Sequence, residues 1–181
     1  MNKRHIYFLI LSFAMALYSC KSNDPIIPNE EELITNVNLT LVSEDGKDTL
    51  EWSFEDLDGA GGEEPIISVS TIKVNTTYNT TVSLSNEAVD PALNITEEVE
   101  EEGRVHQFFY VVAGPDLAVA YNDKDEDGNP IGINTIFKTG KESDGDLKLV
   151  LRHEPIKPNN GDPINAEGET DIEVTFYVSI L

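Results

Sequence analysis

The chain has 181 residues, with 12 Lys and Arg against 34 Asp and Glu, for a formal net charge of −22. That length sets one domain, or two at most, and a composition 39% hydrophobic and 25% charged is that of a folded domain. The charge excludes nucleic-acid binding through phosphate contacts and electrostatic docking on anionic lipid, and the single cysteine excludes an internal disulfide framework.

Met1 to His5 are basic, and Ile6 to Tyr18 form an apolar run, IYFLILSFAMALY. The run is shorter than the roughly 20 residues a spanning helix needs and has the shape of a secretory signal. It ends at Leu17-Tyr18-Ser19-Cys20. This resembles the lipobox of bacterial lipoproteins, with an aliphatic residue three before the cysteine and a small residue just before it. The resemblance implies a signal peptide over 1–19, an acylated thiol on Cys20 and stable membrane attachment, because two or three acyl chains hold where one does not. The alternative is an ordinary cleaved signal with an incidental cysteine. Lys21 stands where Gram-negative lipoproteins retained in the inner membrane carry Asp, so the resemblance points to the outer membrane. Residues 20–31 are expected to be the lipidated cysteine and a flexible tether, since KSNDPIIPN from Lys21 holds two prolines and no usable period. Residues 32–181 remain for the domain.

Strand-like alternation then dominates. Leu33, Thr35, Val37, Leu39 and Leu41 share one phase, as do Leu50, Trp52 and Phe54. Between Ile66 and Val74 the phase slips, which a bulge or a strand break would produce. Val82 and Leu84 continue the pattern. Asn94, with Glu97 three residues on, has the form of a capping box opening a short glutamate-rich helix that Gly103 would end. Val105 to Val112, VHQFFYVV, is apolar on both phases and is expected to be a central strand. Leu117 to Tyr121, Ile131 to Phe137, Leu147 to Leu151 and Ile172 to Ile180 complete about nine strands, separated by Gly, Asn, Asp and Pro turns. The predicted class is all-β, an antiparallel immunoglobulin-like sandwich, with a small closed barrel as the alternative.

Two groups of residues have the chemistry of metal ligands. Asp123, Asp125 and Asp127, followed by Gly128, form D-x-D-x-D-G. Alternate carboxylates on a tight turn can converge on a hard cation, so calcium is the cofactor expected here. Asn134 stands where an EF-hand would have its bidentate Glu, so this is not an EF-hand. A solvated acidic turn is the competing reading. His106 opens one strand and His153 closes another, with acidic neighbours, and the pair could hold a transition metal if it met in space. Two strand-end histidines bonded to nearby carboxylates or backbone are the simpler expectation. No catalytic residue is expected. G-x-S-x-G, H-E-x-x-H and a phosphate loop are all missing, and Trp52 lies in phase with Leu50 and Phe54, as a core residue would.

LITNVNLTL from Leu33, DLDGAGG from Asp56, NTTYNTTVSLSNE from Asn75, HQFFY from His106, AYNDKDEDGNPIG from Ala120 and GETDIEVTF from Gly168 carry a further resemblance. They are similar to a family of short acidic Gram-negative lipoproteins often labelled "type 1 periplasmic binding fold superfamily protein". That resemblance assigns no activity and no functional residue. The expected function is a non-enzymatic outer-membrane lipoprotein, either a binding module for a divalent cation or an accessory to an envelope uptake receptor. The alternative is a structural or adhesive surface domain whose acidic loops calcium only stiffens.

Overall fold

The computed structural model describes residues 33–59 and 61–181. The expected signal peptide, Cys20 and the tether lie outside them. Six strands form the main path of one antiparallel sheet: β1 (Asn36–Ser43), β2 (Thr49–Glu55), β3 (Ile66–Val69), β4 (Thr77–Asn86), β7 (Leu117–Tyr121) and β8 (Asn134–Thr139). Their order is β3-β2-β1-β4-β8-β7, and the two-residue β5 (Leu93–Asn94) adds to β4. A second antiparallel sheet has β6 (His106–Ala113), β9 (Ser143–His153) and β10 (Glu169–Ile180) in the order β10-β9-β6. The all-β sandwich expected from the alternation is therefore present, with β5 added to the anticipated strands.

Alternation positions the core. Val37, Leu39 and Leu41 of β1 face inward and are fully buried, as are Leu147 and Leu149 of β9 and Phe176 and Val178 of β10. Trp52 bridges the layers, with its ring centroid 6.2 Å from that of Phe137 in the first sheet and 5.9 Å from that of Phe176 in the second. Its indole N–H donates to the Ser70 carbonyl at 2.7 Å. Fully buried and hydrogen-bonded, it is a core residue.

The phase slip after Val69 is a change of sheet. Ile67 and Ile66 pair with β2. Five residues on from Ile67, Ile72 accepts a main-chain bond from Leu181 and donates one to Ser179, running parallel to the end of β10. The chain crosses from one layer to the other between these points, and the buried face changes with it. At the opposite end, segment 131–133 ties the layers again, since Ile131 O accepts from Phe108 N and Ile133 O from Val82 N.

The VHQFFYVV run does not form a central strand. β6 is an edge strand, and β9 is the middle of its sheet. The run is apolar on both phases for another reason. Phe108 faces the main core, while Phe109 packs with Val150 and Ala166 on the outer face. There the segment after β9 folds back, held by the Ile156 N–H on Ala166 O. A covered edge strand shows the same apolar pattern as a central one.

The helix forms as expected. In α1 (Ile95–Glu101) the Asn94 side chain accepts from Thr96 N and donates to Glu97, while Ile95 and Val99 are buried. Among the described residues, no helix is long and apolar enough to cross a membrane.

Candidate metal centre

His106 is the first residue of β6 and His153 the last of β9, and the antiparallel register makes them direct cross-strand partners. Each is in phase with core-facing residues of its strand, Phe108 on one side and Leu151, Leu149 and Leu147 on the other. The two imidazoles stack at 4.8 Å between centroids, with planes 25° apart. They sit at the end of the sandwich where α1 finishes.

The third group comes from β10. Its register to β9 shifts between Thr170 and Ile172, which leaves Asp171 as the extra residue of a bulge. Thr170 stays on the outer face, bonded to Arg152, and Ile172 packs against the core. The bulge thereby turns Asp171 toward the histidines. One ligand atom each from His106, His153 and Asp171 lies within 4.8 Å of the others. Ligand atoms of a tetrahedral zinc site are about 3.3 Å apart, given bonds of roughly 2.0–2.1 Å. Closing these three on an ion takes side-chain adjustments on the order of 1 Å.

The tautomer of His106 suits this role. Its Nδ1 lies 3.3 Å from the Glu102 carbonyl, which can only accept, so that nitrogen carries the proton. Nε2 is left with a lone pair, 3.9 Å from Asp171 Oδ2. A backbone carbonyl accepting from the distal ring nitrogen is a usual way for a metal-binding imidazole to be oriented. Burial pushes the His106 pKa down, the Glu102 carbonyl opposes this, and the neighbouring His153 adds to the lowering. The lowering favours the neutral ring, the form a metal requires. The Glu102 carboxylate stands 4.0 Å from Nδ1.

The three aspartates after β7 have separate partners. Asp123 accepts from Gly132 N at 2.7 Å through one oxygen and from Asn134 N at 2.6 Å through the other. Asp125 accepts from Asp127 N and Asn129 N through Oδ1 and from the Lys157 ammonium through Oδ2 at 3.2 Å. Asp127 pairs with Arg104 at 2.8 Å. Burial raises the Asp125 pKa, but the Asn129 N–H, Lys157 and the Asp127 N–H outweigh it and hold the carboxyl below its usual value. Gly128 makes the turn at φ +86°. The similar DLDGAGG turn uses its acids the same way, with Gly59 N on Asp56 and Glu63 N on Asp58.

The structure thus brings His106 and His153 together, which their separation in sequence did not reveal, and adds Asp171. Nothing in the sequence marks Asp171, which falls in phase with Glu173 and Thr175 as an outward-facing residue would. Lys157, within a proline-rich loop, left no signal at all. No protein-family model, curated protein or solved structure matches the chain.

Proposed function

We propose that this chain is a lipid-anchored protein of the cell envelope, attached to the outer membrane through Cys20, whose sandwich holds a divalent transition metal ion at His106, His153 and Asp171. It serves as a binding module, not as an enzyme. The observation that carries the metal reading is the direct cross-strand pairing of the two histidines with a bulge-directed carboxylate beside them. Two imidazoles and one carboxylate are a ligand set for zinc or a neighbouring first-row ion and a poor one for calcium, which takes six to eight oxygens. Three protein ligands also leave a coordination position open to water or to a further ligand. The lipid anchor would keep such a module beside an uptake receptor.

Competition titration of the chelator-treated protein with Zn²⁺ tests the reading. One ion should bind per chain, and His153→Ala or Asp171→Ala should weaken binding at least tenfold. Equal affinity in wild type and in His153→Ala would remove the site. The anchor is tested separately by labelling with a fatty-acid probe, which Cys20→Ala should abolish.

A further inference from the structure

We infer that the buried ion pair of Lys157 and Asp125 is a positioning device for this metal site, holding the start of β6 so that His106 points at its partners. The inference rests on the metal reading above. Lys157 Nζ donates to Gly103 O at 2.6 Å, to His106 O at 2.7 Å and to Asp125 Oδ2 at 3.2 Å, so all three of its protons are placed. The Lys157 side chain is 6% exposed and that of Asp125 1%, so neither charge can turn to water instead. A buried pair of this kind is costly to break from one side, because the remaining charge has no solvent.

The contacts of Lys157 reach His106 through the main chain, and a separate backbone bond ties the strand end at His153 to the same place. Lys157 grips the carbonyl of His106 itself and that of Gly103, the residue that follows the helix C-cap. The residue after His153, Glu154, donates its N–H to Val105 O at 2.6 Å, just ahead of His106. Asp125 is anchored in turn by the N–H groups of Asp127 and Asn129. The acidic turn is thereby coupled to the metal end of the sandwich, and the middle aspartate of D-x-D-x-D-G has a role as the counter-charge of a lysine. Loss of an outer-shell partner typically weakens metal binding about 10- to 100-fold.

The test compares the wild-type full chain with Asp125→Asn, which keeps the shape and removes the charge, and with Lys157→Met. Trimethylamine oxide is added to keep all three folded, as monitored by circular dichroism. Zn²⁺ affinity and the side-chain ¹⁵N resonances of His106 in the metal-free protein are measured. We expect about 10- to 100-fold weaker zinc binding in both variants, together with a shifted His106 ring spectrum. A role in stability alone would lower the melting temperature while leaving affinity and ring spectrum unchanged, and that result overturns the inference but not the metal site. If the wild type binds no zinc, the proposed function fails, and the ring spectra then decide this point alone. A shift in both variants supports the positioning role, and unchanged spectra overturn it.

Discussion

His106 and His153 occupy opposite ends of the chain segment 106–153 yet face each other across the β6–β9 ladder, with their rings 4.8 Å apart. Two imidazoles stacked this closely repel if both are charged, and an ion shared with Asp171 turns the same closeness into an advantage. Zinc that binds only the folded state at a hundred times its dissociation constant adds about 2.7 kcal/mol. Thermal unfolding should therefore shift upward with zinc, return on adding EDTA, and shift far less in His153→Gln. An identical shift in that variant would place the ion elsewhere.

The sandwich was legible because alternation is local. Val37, Leu39 and Leu41, or Val174, Phe176 and Val178, declare their buried face without reference to the rest of the chain. The capping box at Asn94 is local too. What could not be read depended on pairing between distant segments. The edge position of β6 is hidden because the segment over Phe109 buries its outer face, as both faces of a central strand are buried. The site depends on a register that aligns His106 with His153 and on a one-residue bulge at Asp171, and neither is encoded within any short window.

Trp52 is the chain's only tryptophan, so its fluorescence reports on the core directly. Its burial between Phe137 and Phe176 predicts a blue-shifted emission that moves red in a single transition on denaturation. Trp52→Ala should cost about 3–5 kcal/mol, as large aromatic truncations do, while Trp52→Phe should lose less, chiefly the bond to Ser70 O. Urea midpoints followed by circular dichroism provide the check. A red-shifted native emission would contradict the packing.

Tyr110 fastens the 131–133 segment to β6, and Tyr121 fastens β7 to the same strand beside it. Tyr110 donates to Gly132 O at 2.7 Å and Tyr121 to Phe108 O at 2.8 Å. Gly132 has φ +91°, and a Cβ there would lie 2.9 Å from Phe108 Cβ and 3.0 Å from Phe108 O. Gly132→Ala should therefore cost about 2–4 kcal/mol from backbone strain and overpacking together, measurable as a lower urea midpoint.

Burial pushes the pKa of both phenols above the usual value of 10.0. The folded state therefore favours the neutral form. The stability this confers is complete below pH 10 and is lost as pH rises beyond it, because the unfolded chain ionises first. The slope is about 1.4 kcal/mol per pH unit for each such phenol. Unfolding free energies measured from roughly pH 9 to about 11 should fall accordingly. Tyr110→Phe should flatten the decline while lowering stability at neutral pH by about 1 kcal/mol for the lost hydrogen bond. An unchanged alkaline slope in Tyr110→Phe would show that this phenol is not the titrating group.

Calcium at Asp123, Asp125 and Asp127 can be weighed against the bonds these acids already make. Asp123 bridges two backbone N–H groups across the loop, and Asp125 faces an ammonium that repels any cation approaching Oδ2. Asp127, paired with Arg104, is exposed at the surface, whereas the Asp125 side chain is buried. A calcium ion would have to draw the carboxylates away from these donors before it could gather enough oxygens. We therefore expect calcium to raise the melting temperature no more than sodium chloride at equal ionic strength, which relieves the self-repulsion of a chain with net charge −22. Asp125→Asn should destabilise the calcium-free protein by about 3–5 kcal/mol, because it strands the buried Lys157 charge. Asp127→Asn should change it by about 0.2–1 kcal/mol, the scale of an exposed pair. Stabilisation by calcium at concentrations too low to alter screening, abolished by Asp123→Asn, would reverse this expectation and make the turn a cation site in its own right.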